Sequence, residues 1–195
     1  LFKNHLFILA YKYKLTHCLN TKKYYFWFMK IVKIIFVLLF FSSFAYADKN
    51  MKIGSKGKEN EVSRIIKVVM YDNYYEPNTF QIKAGETIKF EVENAGILVH
   101  EFNIANKMMH MKHQPEMQKM AENGILLAFS IDKEKMKKMA KMDKIMGHSH
   151  SNSVLLEPKE KGNIIWKFDN AVNIEIACNV PGHYQAGMIA KADIN

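Results

Sequence analysis

From Glu86 to Glu93 the chain alternates, with Ile88, Phe90 and Val92 on one side and Lys89, Glu91 and Glu93 on the other. A period of two suits only a strand with one face in a core, because successive side chains of a strand point to opposite faces. Leu98–Ile104, Ile164–Phe168 and Val172–Cys178 repeat the pattern, and β-branched or aromatic Ile65–Met70 and Phe80–Lys83 add two further runs. The punctuation between them is turn chemistry: Tyr74-Tyr75-Glu76-Pro77-Asn78 and Ala84-Gly85. Short runs of this kind, without internal repeat, indicate an all-β chain folded as an antiparallel sandwich.

The 195-residue chain carries a formal charge of +9, which would ordinarily suggest nucleic acid or an anionic membrane as partner. Residues 1–47 hold seven lysines and no acid, however, so only +2 remains for residues 48–195 and no nucleic-acid partner is expected. Residues 29–47 have the grammar of a signal peptide. Met29 is followed by Lys30 and Lys33, Ile34–Phe41 is apolar, and Ala45-Tyr46-Ala47 forms a cleavage site. The eight-residue apolar run is shorter than the ~18 residues of a membrane span. Cleavage after Ala47 and export to the periplasm are expected; an uncleaved anchor is the competing reading. Residues 1–28 lack a methionine and read as an over-extended start. Asp48–Ser63 reads as a flexible tether, and 64–195 as one domain of a monomeric protein. After cleavage Cys178 is the only cysteine, so an internal disulfide is excluded.

Period two places His100 on the apolar face of Leu98–Ile104, and Cys178 at the end of the apolar set Val172, Ile174, Ile176. Alone, an inward histidine is usually a hydrogen-bonded core residue, and an inward cysteine a small hydrophobe. Cys178-Asn179-Val180-Pro181-Gly182-His183-Tyr184-Gln185-Ala186-Gly187-Met188 changes the balance, with His five residues after Cys and Met five after His. Pro181 fixes φ and Gly182 permits a sharp turn, so the loop can present its side chains rigidly. Two imidazoles, a thiolate and a thioether make the donor set of an electron-transfer copper site.

From about Tyr74 to Asn195 the chain resembles the cupredoxins, the small blue copper proteins. The resemblance is carried by Tyr75–Phe80, Lys83–Thr87, His100-Glu101-Phe102 and Cys178–Met188. It implies a Greek-key β-sandwich with one type 1 copper at its end, held by His100, Cys178, His183 and Met188, and His183 near the surface beside Ala186 and Gly187. Many members carry Asn after the first histidine; here it is Glu101.

Asn106–His150 breaks the β rhythm with nine methionines and four histidines. Pro115–Asn123 and Asp132–Met146 are expected to be helical, stopped by Gly124 and Gly147, so this is a partly helical insertion. Met136, Met139, Met142 and Met146 fall on one helix flank and suit packing against the sandwich. The run Met108-Met109-His110-Met111-Lys112-His113 and the pair His148 and His150 fall in loop-like sequence, where thioether and imidazole also suit additional Cu(I) and Cu(II). Packing and accessory copper binding both remain open at this point.

Three functions are consistent with such a chain. One is a periplasmic one-electron carrier cycling Cu(I) and Cu(II), linked to copper tolerance, with a redox protein as partner. Another sequesters or delivers copper through the insertion, with a copper-handling partner. The third, an oxidase, needs a histidine-rich trinuclear centre. Six histidines in residues 48–195, with one His-x-His, are too few, so no enzymatic activity is expected.

Overall fold

The computed structural model describes residues 53–169 and 173–195. The expected over-extended start, signal peptide and cleavage site, the tether's first residues 48–52, and Val172 lie outside the described residues. Among the described residues, ten strands form two five-stranded sheets. In chain order they are β1 (Ser55–Lys56), β2 (Arg64–Tyr71), β3 (Tyr74–Glu76), β4 (Thr79–Ile82), β5 (Thr87–Asn94), β6 (His100–Asn106), β7 (Ser153–Leu156), β8 (Lys161–Lys167), β9 (Ile174–Ala177) and β10 (Ile189–Ile194). One sheet runs β1-β8-β5-β2-β3 and the other β4-β10-β9-β6-β7.

The expected runs are present, and the pairing is mixed rather than purely antiparallel. β2 pairs parallel with β5, and β4 parallel with β10. The chain leaves the first sheet after β3, contributes β4 to the second, and returns beside β2 in the same direction as β2. That crossing produces parallel neighbours without a helical crossover. Tyr74–Glu76, expected as a turn, is long enough to pair with the end of β2.

The tether is a correction from Ile53 onward. Ile53 is buried and its carbonyl accepts the indole N–H of Trp166 at 2.6 Å, while Ser55 and Lys56 pair with β8. Gly54, within that segment, sits at φ +99 against the Lys167 carbonyl, where a Cβ would collide. Its glycine serves close approach to the sheet.

Between the sheets, Phe80, Phe90 and Phe102 meet with ring centroids 5.3 to 6.4 Å apart, and Phe168 packs on Phe90 at 6.2 Å. Tilted and edge-on packing of this kind suits the aromatic quadrupole. Tyr75 packs edge-on against Phe102, and its buried hydroxyl donates to the Glu101 carbonyl at 2.7 Å. This aromatic floor fixes β6, the strand carrying His100.

Between β6 and β7 the insertion forms α1 (Lys107–Glu122) and α2 (Lys133–Ala140), followed by a 3-10 turn at Lys144–Gly147. α1 begins eight residues earlier than Pro115, so Met108–His113 is helical, not loop. Asn106 caps it by accepting the Met109 N–H at 2.9 Å. His110, His113, Met117 and Met120 are buried along α1 at helical spacing. Met117, Met120 and Met146 are core residues, whereas Met108, Met111 and Met142 are exposed. α2 stops at Ala140, which takes Met142 out of the expected stripe. No helix among the described residues is long and apolar enough to cross a membrane.

Candidate metal centre

At one end of the sandwich His100, Cys178 and His183 converge. His100 leaves β6 toward the core and is fully buried. Its Nε2 lies 2.9 Å from Asp72 Oδ1, in the turn between β2 and β3. The Asp72 carboxylate also accepts the N–H groups of Ile97 and Leu98 at 3.1 to 3.2 Å. Burial opposes its charge, but the bonds from His100, Ile97 and Leu98 outweigh that and lower its pKa. An ionised Asp72 accepts from Nε2–H, which leaves the Nδ1 lone pair of His100 facing inward.

Cys178 follows β9 directly and is fully buried. Its Sγ lies 4.0 Å from His100 Nδ1 and 3.4 Å from His183 Nδ1, and the two Nδ1 atoms are 3.2 Å apart. The Glu101 backbone N–H donates to the sulfur at 3.3 Å. Burial pushes the Cys178 thiol far up, so without a cation it keeps its proton. The loop to β10 is held by its own backbone: His183 N–H to Val180 O, Ala186 N–H to Gly182 O and Met188 N–H to His183 O, at 2.9 to 3.0 Å. Gly182 takes φ +88 at the turn. His183 is half-buried, and burial together with His100 lowers its pKa to about 4. Met188 is fully buried, and its carbonyl accepts the Cys178 N–H at 3.2 Å. Ala186 and Gly187 are exposed beside this loop.

The structure thus brings together three of the four residues expected as ligands, and places Met188 at the foot of the same loop. Two imidazole nitrogens and a sulfur, all aimed into one buried space, fit a soft or borderline metal ion. That fit rests on the convergence of donors, each fixed from behind by Asp72, by the Glu101 backbone or by the loop.

All seven residues of β6 are buried, because α1 covers its other face. Glu101, on that face, is fully inaccessible. Its Oε1 meets His113 Nε2 at 3.1 Å, His148 Nε2 at 2.8 Å and Asn103 Nδ2 at 2.9 Å. Its Oε2 accepts the backbone N–H and Nδ2 of Asn179, at 3.2 and 2.8 Å. Burial opposes ionisation of Glu101, yet the His113 and His148 contacts hold its pKa well below the usual carboxylate range. The position read as a departure from the family pattern is therefore the keystone that ties insertion to strand.

The remaining insertion histidines separate. The ring of His150 stands 4.9 Å from His113 and 5.4 Å from His148, at the partly exposed rim. His110 is engaged on both nitrogens, by Asn179 and by the Glu175 carbonyl at 3.3 Å, and belongs to neither histidine cluster. The stripe His110, His113, Met117, Met120 was present in the sequence, but reading Pro115 as a helix start concealed it.

The buried ion pair predicts a pH dependence. Burial alone would lower the His113 pKa, but Glu101 and Glu116 on its two ring nitrogens outweigh that and raise it from 6.5 to about 9. A folded-state pKa above the unfolded one contributes stability that is full below about pH 6.5 and is lost as pH rises through about 9. Chelator-treated protein is expected to show a Tm that falls between pH 7 and 10. A level Tm over that window would remove this pair from the account.

Comparison with known proteins agrees with the architecture. Residues 33–125 match the cupredoxin-like domain, a span that includes His100 and ends before Cys178. The copper-resistant cuproprotein CopI of Pseudomonas aeruginosa is 39% identical over 155 residues, which are 72% of this chain and 81% of that protein. CopI of Rubrivivax gelatinosus is 28% identical over 145 residues, 74% of each chain. Among solved structures, auracyanin B superposes with a TM-score of 0.52 at 14% identity, covering 75% of this chain and 99% of its own. That likeness is one of fold.

Proposed function

The chain belongs to the cupredoxin-like family, and from that premise we propose that it is an exported copper-binding protein of copper resistance that carries single electrons. The observation that carries the reading is the convergence of His100 Nδ1, His183 Nδ1 and Cys178 Sγ within 4.0 Å in a buried pocket. His100, Cys178 and His183 would hold the copper, with Met188 as the weak thioether ligand. Bound there, copper supplies a one-electron couple between Cu(I) and Cu(II). Asp72 keeps the His100 imidazole in the tautomer that offers Nδ1. The Glu101 N–H donates to the sulfur and stabilises its thiolate. The backbone-tied loop restricts rearrangement of His183 and Met188, and half-exposed His183 is the natural route for the electron to a redox partner.

The CopI relatives, named as copper-resistant cuproproteins, support the link to copper resistance. The hydrophobic leader Ile34–Phe41 with its Ala45-Tyr46-Ala47 site supports export to the periplasm. The activity proposed is transport of electrons, not catalysis; turnover in an oxidase assay of the copper-loaded protein would contradict it.

Titration with Cu(II), followed by visible absorption, tests the centre. An intense sulfur-to-copper band saturating at one equivalent is expected, with complete loss in Cys178→Ser and reversible one-electron voltammetry in the intact protein. A band unaffected by Cys178→Ser, or copper that does not cycle, would overturn the proposal. A second reading, copper sequestration, is favoured by the cluster of imidazoles around Glu101.

A further inference from the structure

We propose that Glu101, His113 and His148 form a second metal site, for a divalent transition-metal ion, on the opposite face of β6 from the first centre. Alternation along the strand carries the inference. His100 points into the sandwich and Glu101, the next residue, points out beneath α1, so consecutive residues serve two separate pockets. Asn179 repeats the device one residue after Cys178, since it binds Glu101 Oε2.

The geometry is that of a ligand set and its supports. The Nε2 atoms of His113 and His148 both approach Glu101 Oε1, and the three donor atoms lie within 4.8 Å of one another. Oε2 is already occupied by Asn179, so Oε1 is the oxygen turned to the imidazoles. Behind His113, Glu116 Oε2 takes Nδ1 at 2.7 Å, the outer carboxylate contact that fixes a metal-binding histidine with Nε2 forward. Asp72 does the same, with the nitrogens exchanged, for His100. His148 adopts φ 44, ψ 46, a left-handed conformation that a non-glycine residue rarely takes, at the end of the 3-10 turn. The carboxylate is fully buried and its ion-pair partners are the two imidazoles, so a divalent cation that displaces their protons takes over the pairing and leaves no charge unmatched.

Two imidazoles and one carboxylate suit Zn(II) and Cu(II), and among divalent first-row ions such a set holds Cu(II) most tightly. The three donors are two ring nitrogens and a carboxylate oxygen, with no sulfur among them. The site thus takes the oxidised ion, with His150 at its exposed rim to pass the ion inward.

Cu(II) titration of the full protein separates this site from the first. The first equivalent develops the sulfur-to-copper band. The second is expected to bind without increasing that band and to add an EPR signal of tetragonal copper split by two imidazole nitrogens. His113→Gln/His148→Gln should weaken the second equivalent at least 100-fold while the band of the first is retained. Failure of the sulfur band alone strikes the first centre; failure of the second equivalent strikes this one. A second equivalent that persists in the double variant would overturn the proposal, as would its absence from the intact protein. Should the variant not fold, imidazole 15N resonances of the unaltered protein decide. With excess Zn(II), Nε2 of His113 and His148 should shift, and unmoved resonances would equally overturn the site.

Discussion

Glu101→Ala is expected to destabilise the metal-free protein by about 3–5 kcal/mol, the cost of removing one partner from a buried charged network. The carboxylate is fully buried and accepts from Asn103 and Asn179 as well as from two imidazoles. With it gone, His113 keeps only Glu116, and the Asn179 N–H groups lose an acceptor in a space that water does not reach. Chemical denaturation of chelated protein measures the effect as a lower midpoint. Glu93→Ala, which breaks the exposed pair with Lys161, serves as the control and should cost less than about 1 kcal/mol. Equal losses from the two variants would mean that the Glu101 network contributes no more than a surface contact.

Excising Lys107–His150 is expected to abolish cooperative unfolding altogether. The insertion supplies Met117, Met120, Ile125 and Met146 to the core, each essentially inaccessible to solvent. It also roofs Glu101 and Asn103, so its loss would leave the polar face of β6 open and several core side chains without neighbours. At about 2–5 kcal/mol for each large buried side chain removed, the total exceeds the stability of an ordinary domain. Near-UV circular dichroism and a thermal melt report the outcome. An excised protein that melts sharply at the temperature of the intact chain would show the insertion to be an appendage. Counting bound copper after such an excision therefore confounds ligand loss with unfolding, whereas point substitutions at His113 and His148 avoid the difficulty.

The inward strand faces were legible because alternation is a local property: Ile88, Phe90 and Val92, or His100 and Phe102, point inward wherever the strand is placed. The convergence of His100 with the Cys178–Met188 loop was legible for a different reason, since those donor types at that spacing have few structural uses besides a metal. The outer face of β6 was not legible. Glu101 and Asn103 look solvent-facing in a strand considered alone, and only the docking of α1 buries them. Nor was the start of α1, because Pro115 suggested a first turn where the chain is already helical, capped at Asn106. Asp48–Ser63 reads as a tether in sequence, while the structure uses Gly54 where backbone meets backbone. For Glu101, Asn103 and Gly54 the missing information was a tertiary neighbour; for α1 the cap and the stripe were local and the proline masked them.

The position of β6 in its sheet, between β7 and β9, bears on the order in which the two clusters of donor side chains assemble as the chain folds. Glu101, His113 and His148 all precede β7 in the chain, whereas Cys178 comes 77 residues after Glu101. Helices form within about a microsecond, and the α1–α2 segment brings Leu156 of β7 back beside His100. The outer trio can gather at that stage, before β9 and the last loop have arrived. A chain folding in the presence of copper would then meet its histidine–carboxylate pocket first. The sulfur-bearing centre would close last, when the Cys178–Met188 loop reaches His100.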